Sequence, residues 1–218
     1  MKPRLLDLFC GAGGCARGYQ MAGFHVAGVD INPQPRYAGD AFHQADALTF
    51  PLDGFDVIHA SPPCQGYSRM RHLPWLKDRV YPMLIDVMRA RLQQSGALWV
   101  IENVEDAPLQ GIVLCGATFG LTVYRHRKFE SNMMLFAPPH LKHVEKIGEG
   151  RIYNSRRRAN PNGWVTAAGH SGSRDAFARA MDIDWMTRDQ LSQAIPPAYT
   201  AFVGGQLMAA LEREAVSA

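Results

Sequence analysis

A cysteine at position 64 stands directly after Ser61-Pro62-Pro63, which in turn follows the strand-like run Phe55-Asp56-Val57-Ile58-His59-Ala60. Paired prolines end a strand ladder and project the next side chain from a rigid turn. Position 64 therefore falls at the carboxyl edge of a sheet, where open α/β sheets bind their ligands. A thiol held there can act as a nucleophile; the plainer alternative is an inert, packed cysteine. Glu102 has a similar setting, in Ile101-Glu102-Asn103-Val104 after the apolar run Ala97-Leu98-Trp99-Val100-Ile101. A carboxyl at the end of a buried strand can have a raised pKa and donate a proton, or it can cap a helix. A third feature is the turn Phe9-Cys10-Gly11-Ala12-Gly13-Gly14. Glycines between a strand and a helix let a ligand approach the backbone, although the full dinucleotide spacing is absent. The run Phe24–Asp30 then ends in an acid 19 residues after Gly11, and Asp46 follows the next segment. An acid so placed can hold ribose hydroxyls. Together these residues point to a nucleoside-bearing cofactor at the carboxyl ends of the strands, with an acidic helix cap as the alternative.

Such residues need a frame of strands alternating with helices. Strands are expected at Arg4–Phe9, Phe24–Asp30, Phe55–Ala60 and Ala97–Ile101, with helices over Cys15–Ala22 and Leu84–Leu92. That alternation predicts an α/β fold with a Rossmann-like, doubly wound, mostly parallel sheet. After Ser131, prolines and glycines interrupt the chain often, and a small irregular subdomain is expected. A helical pattern returns near Arg174, runs through Phe177, Ala178, Met181 and Ile183, and breaks at Pro196-Pro197; a last helix covers about Ala198–Glu214. The domain expectation is a catalytic unit of residues 1–130 and 175–218 with a basic segment, 131–174, set into it.

The 218 residues, 47% apolar and 20% charged, suit a single soluble domain with a real core. No apolar run nears the roughly 18 residues of a membrane span. Asp7 interrupts the apolar start that a signal peptide needs, so a cytoplasmic location is expected, with no membrane partner. The four cysteines, Cys10, Cys15, Cys64 and Cys115, include no pair at the two-residue spacing of a zinc site. Cys10, Cys15 and Cys115 are therefore taken as packing residues, and no metal is expected. The net charge of +3 is unevenly spread. Tyr124–Arg174 holds ten Lys/Arg against three Asp/Glu, while the rest holds 13 against 17. That basic stretch includes Arg156-Arg157-Arg158, four of the eight histidines, Tyr153 and Trp164. It suits a polyanion such as nucleic acid, or a solvated surface.

In order, Asp7-Leu8-Phe9-Cys10-Gly11-Ala12-Gly13-Gly14, Pro62-Pro63-Cys64-Gln65-Gly66-Tyr67-Ser68 and Glu102-Asn103-Val104 resemble the motifs of the DNA cytosine-5 methyltransferase family. Arg125-His126-Arg127 resembles its later arginine motif, and Ala194-Ile195-Pro196-Pro197 its last. Cys115–Gly120 with Tyr124–Arg127 looks most like short forms carried by phages or prophages. The resemblance implies the class I S-adenosylmethionine-dependent methyltransferase fold, S-adenosylmethionine as cofactor with S-adenosylhomocysteine as product, and double-stranded DNA as substrate. Phe9 would face the adenine, and Gly11, Ala12, Gly13 and Gly14 would hold the methionine part. Asp30 and Ile31 would take the ribose side, Asp46 and Ala47 the adenine, with Pro62, Gln193 and Ala194 completing the cofactor site. Cys64 would attack C6 of a flipped cytosine, and Glu102 would protonate N3. Arg125 and Arg127 would hold the nucleotide, with Arg127 at the cytosine O2. Gln65, Ser68, Arg69, Arg71 and Arg156–Arg158 would contact DNA, and Gly66 to Trp75 would form a closing loop.

Three departures stand out. Val123 replaces the family's usual Gln before the arginines, and Ser192-Gln193 replaces Gly-Asn before the last motif. Only about 60 residues separate those motifs. The basic segment is then a minimal recognition domain, or specificity is loose, or a partner such as an accessory specificity subunit supplies it; a cognate restriction enzyme is a further possible partner. The same chemistry on RNA is the first alternative. Methylation of an exocyclic amine is disfavoured by the Cys64 and Glu102 pair. A catalytically idle DNA-binding homologue is the alternative of a different class.

Overall fold

The computed structural model describes residues 1–69, 79–145, 147, 164–167 and 172–217. Its sheet has seven strands: β1 (Arg4–Leu8), β2 (His25–Asp30), β3 (Ala41–Gln44), β4 (Val57–Ala60), β5 (Leu98–Val104), β6 (Ile112–Leu114) and β7 (Arg127–Ser131). Their order is β3-β2-β1-β4-β5-β7-β6. The first five lie parallel, and β7 pairs antiparallel with both β5 and β6. The central strands are buried along almost their whole length, as parallel strands covered on both faces must be.

The helices are α1 (Gly14–Met21), α2 (Ile85–Gln93), α3 (Arg174–Met181), α4 (Arg188–Gln193) and α5 (Pro197–Ser217). One core cluster joins α1 and α5 to the sheet through Tyr19, Phe24, Phe129, Tyr199 and Val203. Here glycine is required: a Cβ on Gly18 would collide with the Pro197 carbonyl and the Thr200 hydroxyl of α5. A second cluster packs α2 on another set of sheet residues through Ile85, Met88, Leu92, Ile58 and Trp99. A third holds α3 and α4 against Ala12, Val123 and Val165. Two sheet faces with separate apolar clusters make the doubly wound α/β architecture expected from the alternating runs.

Three strands depart from the sequence reading. The Phe55 run is the fourth strand, because β3 inserts at the edge. β3 is only partly buried and mixed in character, so it carries no apolar periodicity. β6 has three residues, and β7 reads Arg-Lys-Phe-Glu-Ser, so neither resembles a core strand. β5 also runs on to Val104, placing Glu102 inside the strand instead of after it. The helix expected from Arg174 onward is two helices. Asp182 takes a left-handed conformation (φ 57°) that ends α3, and a Thr187–Gln190 capping box starts α4.

The described parts of 131–174 tie back to the body built on the sheet. Val123 and Val165 form a parallel bridge, Tyr124 N–H donates to the Val165 carbonyl at 2.8 Å, and Val165 and Ala167 are buried in the third cluster. Arg71, Arg156, Arg157 and Arg158, and most of the expected closing loop, lie outside the described residues.

Candidate active site

A cleft of about 590 Å³ opens at the carboxyl ends of β1, β2, β4 and β5, within the roughly 300–1,000 Å³ usual for small-ligand sites. The glycine turn forms one wall. Phe9, Gly11 and Gly13 all have positive φ (60°, 49° and 85°), and for Phe9 that backbone is costly. Phe9, Gly11, Ala12 and Gly14 line the cleft. Gly13 does not: its Cα faces Ala38 and the Tyr37 ring, where a Cβ would not fit. Trp185 Nε1 donates to the Ala12 carbonyl at 2.9 Å and braces the turn from behind.

Asp30 sits at the end of β2. Its Oδ2 accepts from Gly11 N–H at 3.0 Å and its Oδ1 from Asn32 N–H at 2.9 Å. It caps a turn and no helix, and each oxygen keeps lone pairs toward the cleft. Ile31 beside it is 66% exposed and lines the cleft. Asp46 and Ala47 are not among the lining residues. Asp46 Oδ1 accepts from Leu48 N–H at 2.9 Å, and Ala47 is buried in the second core cluster.

At the opposite wall stand Ser61, Pro62, Cys64, Gln65, Glu102 and Arg127. Cys64 is half-buried, in a turn whose Tyr67 and Ser68 N–H groups both donate to its carbonyl at 3.0 Å. The Asn103 amide fixes the turn by donating to the Pro62 carbonyl at 2.8 Å. Glu102 is buried, and Arg127 Nε lies 3.1 Å from its Oε1. In the sheet Glu102 faces Phe129, so Arg127, two residues along β7, is its diagonal neighbour on the same face. The pair is close enough for strong attraction, yet Oε1 has no hydrogen bond of good geometry. Burial pushes the Glu102 carboxyl up, against the opposing pull of Arg127, Ser61 and Arg125. A carboxyl so placed can hold a proton and donate it into the cleft.

Arg125 is different. Its guanidinium is buried and donates to the Ala167 carbonyl at 2.7 Å and the Ser192 carbonyl at 2.9 Å. Burial, then Arg127, lowers its pKa to about 9. It clamps the chain behind the cleft and is not among the lining residues. Gln193 and Ala194, which the clamp positions, do line the cleft. Val123 is fully buried in the third core cluster, so the site of the missing Gln is a packing position. Ser68 and Arg69 sit outside the cleft wall, and exposed Arg69 pairs with Asp106 at 2.7 Å.

Sequence reasoning gave no role to Asp7, whose carboxylate is fully buried, lines the cleft, and leaves both oxygens without a partner. Burial and the neighbouring Asp30 and Glu102 raise its pKa. Beneath it runs a buried polar chain. Tyr19 Oη lies 2.8 Å from His59 Nδ1, and His59 Nε2 lies 2.8 Å from Ser61 Oγ. Cys10 and Cys15 are buried beside this chain and border the cleft. Burial drives His59 down to about 3, so it stays neutral. The sign follows. Below pH 6.5 the unfolded chain takes up a proton that the folded state refuses, so stability falls as pH drops from 6.5 toward about 3. The expected slope is about 1.4 kcal/mol per pH unit. Urea unfolding at several pH values should give a His59→Gln slope flatter by about that amount. Asp7 and Glu102 act in the opposite direction in both proteins, so the difference isolates His59. Parallel slopes would rule out a buried neutral imidazole.

Against this geometry, residues 3–108 match the family model described as C-5 cytosine-specific DNA methylase. The matched span carries the glycine turn, Asp30, Cys64 and Glu102. Beyond the methylase match, the chain is 24% identical over 194 residues to the Type II methyltransferase M.AgeI of Thalassovita gelatinovora, covering 70% of this chain and 45% of that protein. It is 29% identical over 148 residues to the Type II methyltransferase M.XorII of Xanthomonas oryzae pv. oryzae, covering 59% and 31%. The chain thus spans less than half the length of either relative. Two solved structures share the fold at 14% identity. One is a putative DNA modification methyltransferase encoded within an E. coli prophage (TM-score 0.66, 96% of this chain and 99% of that one). The other is S. pombe Dnmt2 methyltransferase (TM-score 0.62, 97% and 99%). These two likenesses show the shared doubly wound α/β fold. Arg127 and Gln193 come to the cleft from outside the matched span.

Proposed function

We propose that this chain transfers a methyl group from S-adenosylmethionine to C5 of cytosine in double-stranded DNA, through a covalent bond between Cys64 and C6. The observation that carries the reading is one cleft holding a half-buried thiol at Cys64 and a buried carboxyl with a raised pKa at Glu102, opposite a glycine turn. The cofactor fits the other half of the cleft. The orphaned carboxylate of Asp7 offers a partner for an ammonium, and Asp30 has lone pairs for a ribose diol. Gly11, Ala12 and Gly14 leave room for the backbone to approach. When bound, the cofactor supplies an electrophilic methyl group.

The chain's own residues do the rest. C5 of cytosine is a weak carbon nucleophile while the ring is aromatic. The Cys64 thiolate adds to C6 as Glu102 gives its proton to N3, and the electron pair released becomes available at C5. After C5 is methylated, a base removes the C5 proton, the C6–S bond breaks, Cys64 leaves as the thiolate, and N3 returns its proton to Glu102. Arg127 holds the Glu102 side and faces the ring from the same wall. The ring must leave the duplex stack to reach Cys64, so the base is flipped. Arg125 acts as a clamp and does not touch the nucleotide. DNA phosphates meet the basic stretch Tyr124–Arg174.

Labelled methyl transfer to duplex DNA, read as 5-methyldeoxycytidine after nucleoside digestion, tests the reading. Label appearing only in structured RNA, or in neither acceptor, would overturn it. Asn103 is a positioning residue, through its bond to Pro62. Asn103→Ala should lower kcat by about 10²-fold as the Cys64 turn shifts, while the KM for cofactor changes little. A KM effect without loss of kcat would give Asn103 a purely cofactor-side role.

A further inference from the structure

Outside the cleft, four metal-binding side chains meet across distant parts of the chain. Cys115 Sγ and one ring nitrogen each of His126, His140 and His143 lie within 4.8 Å of one another. Cys115 Sγ is 3.3 Å from His143 Nε2, and His126 Nε2 is 3.0 Å from His140 Nε2. The three imidazole centroids are 5.0 to 5.2 Å apart. Tetrahedral zinc, with Zn–N about 2.1 Å and Zn–S about 2.3 Å, holds its ligand atoms about 3.4 to 3.6 Å apart. The Cys115–His143 and His126–His140 separations are close to that, and no pair exceeds 4.8 Å.

We infer that Cys115, His126, His140 and His143 bind a zinc ion in a closed, four-coordinate structural site. One thiolate and three imidazoles are a donor set that tetrahedral zinc accepts. The second sphere agrees. His126 turns Nε2 toward His140, and its Nδ1 lies on the side of Glu105, whose Oε2 is 3.9 Å away, the kind of carboxylate found behind ligating rings. Tyr124 stacks on His143 with ring centroids 3.8 Å apart and on Trp164 at 4.4 Å, forming a wall beside the cluster. Cys115 is buried and His140 is exposed, so the ion would fasten a surface segment to the body. Its effect would reach the cleft, because His126 lies between the clamp Arg125 and the cleft residue Arg127. Examining cysteine pairs alone could not find such a site, since only one ligand is a cysteine.

The inference does not depend on the methyl-transfer reading, and its test does not use activity. The full chain, without a histidine tag, is purified from medium with no added metal and its zinc measured by mass spectrometry. About one equivalent is expected, falling below a tenth in Cys115→Ser and in His140→Ala and unchanged in His25→Ala. Cobalt in place of zinc should give the visible bands of a tetrahedral ion, with a thiolate charge-transfer band that Cys115→Ser removes. Because His140 is exposed, His140→Ala tests the site even if Cys115→Ser fails to fold. A chelator should lower the Tm of the wild type by several degrees and leave that of His140→Ala unmoved. Substoichiometric zinc, or a full equivalent surviving both variants, would overturn the site.

Discussion

Replacing Cys64 by serine is expected to lower methyl transfer to duplex DNA by at least about three orders of magnitude. A hydroxyl is far less ionised than a thiol and adds poorly to C6, so the covalent route closes while the shape of the turn survives. Cys64 is half-buried, and the change is nearly isosteric. Stability should therefore change by less than about 1 kcal/mol. Cofactor affinity, measured by calorimetry, should stay close to wild type, because Asp7, Asp30 and the glycine turn are untouched. Turnover near wild type would remove Cys64 from the chemistry, and lost cofactor binding would make the effect structural.

Glu102→Gln is expected to cost about 10²- to 10⁴-fold in turnover. The amide keeps the size of the side chain but cannot pass a proton to N3. The pH profile separates this role from a structural one. Burial raises the Glu102 pKa. The donor is the protonated form, so its population falls as pH rises through that raised value, and the wild-type rate should fall on that side. The residual activity of Glu102→Gln should lack that limb. A variant that keeps the limb would assign it to another group.

The positions of Cys64 and Glu102 were legible because each follows a mostly apolar strand-like run, one closed by two prolines. Parallel strands covered on both faces leave that signature. The edge of the sheet left none: β3, β6 and β7 are short or polar, and their pairing is set by neighbours distant in sequence. β7 matters most, since its register brings Arg127 beside Glu102. Arg125 looked equivalent to Arg127 in the chain. The two carbonyls that capture it belong to residues 42 and 67 positions away, which no local pattern reveals. Asp7 read only as a charge interrupting an apolar start, yet it is the buried acid at the floor of the cleft. Its role depends on having no partner, and that is a property of the packed fold. The Cys115 cluster escaped for the same reason, with ligands spread over 28 residues.

The central claim is a covalent bond from Cys64 to cytosine in DNA. A duplex carrying 5-fluorocytosine, incubated with the protein and S-adenosylmethionine, tests it most directly. Fluorine stands where the departing C5 proton would be, so the final elimination cannot occur. The account predicts an adduct stable to denaturing electrophoresis, with the modified peptide containing Cys64. An adduct on RNA alone, an adduct on another residue, or no adduct while the cofactor is bound would contradict it.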